Sequence, residues 1–349
     1  MTAAVHAIDN PLKLRGIEFT EFCGPTGAEL DQMFWQFGFS KLKKHKTKDI
    51  IYYRQNDIHF LINNEKTGFS AGFAKRHGPA ICSMGWRVDD AAFAYAEALK
   101  RGARAAVGCD KDLPYPAIYG IGDSLIYFID RFGSKGSIYD TDFISLDQPQ
   151  VQADKGFLFV DHMTNNVHKG TMAQWSRFYK EVFGFFEVRY FDIKGVKTGL
   201  TSYALRSPDG SFCIPINENK DDRDQIAEYL REYDGPGVQH LAFGTRDILT
   251  SLDQMVGSGI QTLDIDDEYY AEVFDRVPNV KEDHARIRQH QVLVDGSEAG
   301  YLLQIFTRNL IGPIFIEIIQ RENDLGFGEG NFGALFRSIE KDQERRGVI

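Results

Sequence analysis

The chain has 349 residues, 43% of them hydrophobic and 13% aromatic, enough to bury two cores of about 150 to 180 residues each. Its formal charge of −10, with no basic run beyond LKKHKTK at 42–48, argues against a nucleic-acid or anionic-membrane partner, and that run is expected in a solvated turn or strand edge. The opening MTAAVHAIDN lacks a basic segment followed by an apolar one, no apolar run approaches 18 residues, and Cys23, Cys82, Cys109 and Cys213 follow no metal-finger spacing. The expectation is a cytoplasmic protein with reduced, structural thiols.

Strand-like runs alternate with single amphipathic helices. A strand at 16–22 leads to a helix at about 26–37, stopped by Gly38, and to strands at 48–54 and 57–63. Residues 78–103 read as a strand, a helix started by Asp89 or Asp90 and a glycine stop, and a strand at 125–130 closes the half. A polar linker is expected at 146–155. The second half opens with a strand at 157–162, a helix at 171–183 closed by Gly184, and a hairpin of 201–206 and 211–215 across SPDG. Near the end, a strand around Glu317 turns through Gly326, Gly328 and Gly330 into Asn331, read as an N-cap, and a helix carrying Phe332, Leu335, Phe336 and Ile339 on one face.

Residues 235–260 align without a gap on 78–103, an offset of 157, with Gly-Pro, an apolar strand, an Asp and a Gly at matching places. This is an internal duplication. Residues needed only for folding should recur in both halves, whereas residues needed for chemistry are free to differ. His162 corresponds to Phe19, His240 to Ser83 and Glu317 to Tyr127, so two imidazoles and a carboxylate occur in the second half only.

Glu317 stands among Ile314, Phe315, Ile316, Ile318 and Ile319, where a lone ionised carboxylate costs several kcal/mol unless a cation, metal or proton compensates it. The alternative is an edge-strand glutamate facing solvent. Two histidines and one carboxylate leave open positions on a metal, as in the facial triad of non-haem Fe(II) oxygenases, although the same ligand set also serves zinc hydrolases. HExxH is absent, and each residue is expected on its own strand. Alternatively, His162 and His240 are core-edge histidines bonded to backbone. His45, His59, His77, His168, His284 and His290 read as exposed or structural, and GFGEG, with an acid and no lysine, is not a phosphate loop.

FIEIIQR followed by GFGEGNFGALFRSIE, with GVQHLAF at 237–243, DHMTNNV at 161–167, YLLQIFT at 301–307, GLTSYAL at 199–205 and PINE at 215–218, closely resembles the 4-hydroxyphenylpyruvate dioxygenase family of the vicinal oxygen chelate superfamily. The likeness runs from about Pro11 onward. It implies an α+β fold of two tandem open β-barrel domains, each of paired βαβββ modules, with a C-terminal lid helix: 1–150 without a metal site and 151–349 catalytic. It implies that His162, His240 and Glu317 bind one Fe(II) per chain. Ser202, Asn217, Gln225, Gln239 and Gln304 become the polar groups around the substrate, and Pro215, Phe306, Phe315, Phe327 and Phe332 the pocket walls. Strand alternation supports Gln304 with Phe306 and Phe315 with Glu317, but turns Gln239 away from His240 unless the strand is irregular.

The implied reaction converts 4-hydroxyphenylpyruvate and O2 to homogentisate and CO2 in tyrosine and phenylalanine catabolism, in a homo-oligomer, dimer or tetramer. 4-Hydroxymandelate synthase shares metal and substrate; Pro215, Asn217 and Phe306, where the two families differ, look dioxygenase-like here. A ligand-sequestering protein and a glyoxalase-type lyase or isomerase are the readings from other classes.

Overall fold

A computed structural model describes residues 9–24, 27–194 and 199–347. The first half contains β1 (Leu14–Cys23), α1 (Gly27–Gln36), β2 (Ser40–His45), β3 (Ile50–Gln55), β4 (Ile58–Asn63), α2 (Phe69–His77), β5 (Ala80–Val88), α3 (Ala91–Lys100), β6 (Ala105–Ala106), β7 (Ala117–Tyr119), β8 (Leu125–Ile129), α4 (Ile138–Thr141) and β9 (Phe143–Gln150). The second contains β10 (Phe157–Val167), α5 (Met172–Phe183), β11 (Phe186–Lys194), β12 (Gly199–Arg206), β13 (Cys213–Asn219), α6 (Gln225–Glu232), β14 (Gly237–Thr245), α7 (Ile248–Met255), α8 (Asp267–Arg276), α9 (His284–Gln289), β15 (Leu293–Ser297), β16 (Gly300–Phe306), β17 (Phe315–Glu322) and α10 (Phe332–Arg345).

Each half is two βαβββ modules. The strand order β6-β7-β8-β5-β1-β4-β3-β2-β9 places β1 parallel to β4 and β5 parallel to β8, with β1 and β5 antiparallel at the join. The order β11-β12-β13-β10-β14-β17-β16-β15 repeats this with β10, β13, β14 and β17. A parallel pair needs a crossover, which explains the helix after the first strand of each module. The tandem halves of paired βαβββ modules that the family resemblance implies, and with which the repeat agrees, are therefore present.

Asp90 accepts from the Phe93 amide at 2.8 Å and Asp247 from the Thr250 amide at 2.9 Å, so the duplicated aspartates are true N-caps. Gly184 ends α5 in the left-handed region, as its position predicts. Thr26, the expected first residue of the first helix, lies outside the described residues.

Several expectations need correction. Residues 46–48 of the basic run form a bend with Lys46 and Thr47 exposed, as expected, but 42–45 belong to β2, an inner strand between β3 and β9, with Lys43 paired to Asp140 at 2.7 Å. The first half of the expected linker is β9, which Phe143 anchors in the core and whose Pro149 is tolerated because β9 lies at the sheet edge. β10 runs to Val167, five residues past its expected end. Asn331 stands at the N-cap position of α10 as expected, but its side chain does not cap: Oδ1 accepts from the Tyr269 hydroxyl at 2.6 Å and from Arg276 at 3.2 Å, leaving the first turn of α10 without a side-chain cap.

The halves share one apolar core. Phe37, Phe39 and Phe60 pack on Phe243, and Trp86 packs on Phe183, Phe185 and Phe212.

Candidate metal centre

The central strands β10, β14 and β17 of the second sheet carry His162, His240 and Glu317, which are 3%, 8% and 3% exposed. His162 Nε2 lies 3.0 Å from Glu317 Oε2, His240 Nε2 lies 3.3 Å from the same oxygen, and the two imidazole nitrogens are 3.4 Å apart. Ligand atoms at about 2.1 Å from one ion stand about 3.0 Å apart at a right angle and about 3.4 Å apart at a tetrahedral angle. The triangle fits an ion and does not choose between these geometries. Among the described residues it is the group of His, Cys, Asp and Glu side chains able to hold one.

The registers that make this triangle depend on two β-bulges. β10 and β14 pair Val160 with Phe243 but His162 with Ala242, so Asp161 is an extra residue; Thr164 pairs with His240 but Asn165 with Val238, so Gln239 is another. A bulge breaks strict alternation and lets neighbouring side chains serve one site. Asp161 Oδ1 accepts from His162 Nδ1 at 2.8 Å, and Gln239 Oε1 lies 3.1 Å from His240 Nδ1. Each imidazole thus spends its Nδ1–H on a neighbour and turns the other nitrogen inward, as a metal ligand requires.

Burial pushes the Glu317 carboxyl up, but the charge and hydrogen bond of His162, joined by His240, bring it down to about 2. Burial likewise opposes a charge on His162, yet Glu317 and Asp161 raise it to about 9. His240 stays below the usual histidine range because burial, with His162 beside it, outweighs Glu317.

A cavity opens from the triangle. Ser202, Pro215, Asn217, Gln225, Gln239, Phe306, Phe315, Phe327 and Phe332 line it, all of them residues singled out in the sequence. Phe315 stacks on His240 with centroids 4.7 Å apart, and Phe327 meets His162 edge-on at 5.5 Å. Asn217 Nδ2 donates to Gln239 Oε1 at 3.2 Å. Gln304 is the exception: it is 1% exposed, lies outside the cavity lining, and neither amide atom has a protein partner. Gly328 covers it so closely that a Cβ there would stand 2.0 Å from Gln304 Nε2. Sequence reasoning missed Phe191, which meets Phe332 at 5.3 Å, and the supporting pair Asp161–Arg321. Nothing in a strand pattern marks Phe191, whereas Asp161 was visible as an acid beside a candidate ligand.

The description "Hydroxyphenylpyruvate dioxygenase, HPPD, N-terminal" matches residues 8–144, and "Glyoxalase/Bleomycin resistance protein/Dioxygenase superfamily" matches 160–292. A 4-hydroxyphenylpyruvate dioxygenase of Pseudomonas sp. (strain P.J. 874) is 45% identical, over 98% of this chain and 98% of the relative. The chain belongs to the 4-hydroxyphenylpyruvate dioxygenase family. Protein MelA of Shewanella colwelliana is 70% identical over 97% of this chain and 99% of its own length. A mutant of 4-hydroxymandelate synthase from Streptomyces coelicolor superposes with a TM-score of 0.80 at 25% identity, over 94% of this chain and 99% of that one. The 4-hydroxyphenylpyruvate dioxygenase family is one of metalloenzymes acting on small molecules, in keeping with the buried triangle. No described helix is long and apolar enough to cross a membrane.

Proposed function

We propose that this chain is an Fe(II)-dependent dioxygenase that converts 4-hydroxyphenylpyruvate and O2 to homogentisate and CO2. The observation that carries the reading is the buried His162–His240–Glu317 triangle opening on a cavity walled by phenylalanines. In this reading 1–150 is the scaffold half and 151–349 the catalytic half, with one iron per chain. A bound ferrous ion would supply a centre where a 2-oxo acid chelates and O2 is activated on the same ion.

The chain's own residues do the remainder. His162 and His240 offer neutral imidazoles, and Glu317 offsets one of the ion's two charges. Phe306, Phe315, Phe327, Phe332 and Pro215 hold the substrate ring and exclude water, which limits side reactions. Ser202, Asn217, Gln225 and Gln239 supply the hydrogen bonds that orient the oxo-acid arm and the phenol; Gln304 joins them when the segment carrying Gly328 shifts. Glu317 Oε2 lies beside both imidazoles, so these three residues would hold the ion between them, and its remaining positions would be open to substrate and O2.

The choice of the dioxygenase over hydroxymandelate synthesis rests on Pro215, Asn217 and Phe306, all of which line the cavity, and on the 45% identity to a protein named 4-hydroxyphenylpyruvate dioxygenase. Loading purified protein with Fe(II) without oxygen, then adding 4-hydroxyphenylpyruvate and O2, should give homogentisate and one CO2 per O2 consumed. Hydroxymandelate without homogentisate, or no substrate-dependent O2 uptake, would overturn the assignment.

A further inference from the structure

Arg321 lies four residues beyond Glu317 on β17, with a side chain 15% exposed. Its guanidinium makes contacts in two directions. Nε donates to Asp161 Oδ2 at 2.8 Å and Nη2 to Asp161 Oδ1 at 2.7 Å, a two-pronged grip on the carboxylate that holds His162 Nδ1. Nη1 points the other way, donating to the carbonyls of Gly326 at 2.6 Å and Asp324 at 3.2 Å. The next residue is Phe327, whose ring centroid lies 5.7 Å from the guanidinium carbon and 5.5 Å from the His162 ring. One side chain therefore touches both the carboxylate behind a metal ligand and the segment that introduces α10.

The duplicated half serves as a control. Its buried carboxylate at the corresponding bulge is Glu18, and it is held by Arg87 at 2.5 Å, from the position that Gly244 occupies in the second half. Arg131, the counterpart of Arg321, turns away to Asp142 at 3.0 Å. Where Phe19 replaces His162, the carboxylate is neutralised from a different strand, by an arginine that also lies 5.7 Å from the Phe132 ring but forks to the Asp57 carboxylate instead of donating to the carbonyls of the following loop. Folding thus requires a partner for this carboxylate but not this particular arginine.

We infer that Arg321 is a positioning residue that couples the seating of the 324–336 segment to the orientation of His162, so that metal binding and lid closure favour each other. The inference rests on the metal reading of the triangle. An ion at His162 Nε2 fixes the imidazole, the imidazole fixes Asp161 through Nδ1, and the fork passes that constraint to the Gly326 and Asp324 carbonyls. Coupling between two equilibria is reciprocal, so a seated lid must tighten the ion to the same degree that the ion seats the lid.

The test uses the full chain with Co(II), whose binding is read by visible absorption, and hydrogen–deuterium exchange across 324–336 with and without the ion. In the unaltered protein Co(II) should slow exchange in this segment. Arg321→Met should remove that protection and weaken Co(II) binding by about 10- to 100-fold, the usual loss when the partner behind a ligand is removed. Arg321→Lys keeps a cation on Asp161 but cannot fork to the carbonyls. It should regain most of the affinity and none of the ion-linked protection, a split that a merely structural role would not give. Wild-type affinity with intact protection in Arg321→Met would overturn the coupling. So would equal loss of both readouts in Arg321→Lys and, should Arg321→Met fail to fold, retained ion-linked protection in Arg321→Lys. Failure of the unaltered protein to bind Co(II) would instead remove the metal reading, and the coupling with it.

Discussion

At the scale of single residues, a proton occupies the place of the ion. With His162 raised to about 9 and Glu317 lowered to about 2, the ion-free protein at neutral pH holds an imidazolium between the carboxylates of Asp161 and Glu317. A metal must displace that proton. Apparent Co(II) affinity should therefore rise by roughly tenfold per pH unit from pH 7 to about 9 and then level off, a titration that a pH-independent Kd would contradict. The stability of the ion-free protein follows the opposite trend. The folded-state pKa of His162 lies above its unfolded value, so its stabilisation is complete below about 6.5 and is lost as pH rises through about 9. Glu317→Gln removes the anion that holds this proton and one of the three ligands. It should keep the fold but lower metal affinity by more than about 100-fold, beyond the loss expected for a supporting partner alone.

At the scale of elements, position in a strand was legible and local irregularity was not. Matching FIEIIQR to IYFIDR placed Glu317 opposite Tyr127, and the pairings agree: Ala242 with Glu317, Gly85 with Tyr127, where 242 and 85 differ by the offset of 157. The alternation rule turned Gln239 away from the cavity because a bulge leaves no mark in a hydrophobic pattern. It was the irregular strand, already named as the condition, that brought Gln239 beside His240. Asn331 has the composition of a cap, but Tyr269 and Arg276, distant in sequence, claim its oxygen. The glycines before α10 were read as a turn, and at Gly328 the requirement is specific: φ is +76°, and a Cβ would stand 2.0 Å from Gln304 Nε2. Gly328→Ala adds about 1 to 2 kcal/mol of backbone strain to that contact. Exchange of the amides in 326–336 should accelerate by about 5- to 30-fold, and unchanged exchange would show that the turn tolerates a side chain.

At the scale of the molecule, the two halves have the same architecture and different interiors. In the first, Phe19 and Tyr127 stand 6.1 Å apart where the second half has ligands, with Leu113, Tyr115 and Tyr139 packed in the same cluster. Ser83, the counterpart of His240, donates to the buried Glu21, whose pKa burial raises to about 7. The duplication was readable from spacing alone, and it separated scaffold from site because the folding requirement is common to both halves. The shared aromatic core was not readable, since contacts such as Phe37 on Phe243 join residues far apart in the chain. Ser83→His adds an imidazole to a filled interior and should leave metal stoichiometry unchanged. The most direct measurement is anomalous diffraction at the metal edge from Co(II)-loaded crystals of the unaltered protein and of Ser83→His. One peak per chain, about 2.0 to 2.2 Å from His162 Nε2, His240 Nε2 and Glu317 Oε2, is expected in both. A peak elsewhere, none, or a second in the first half would contradict it.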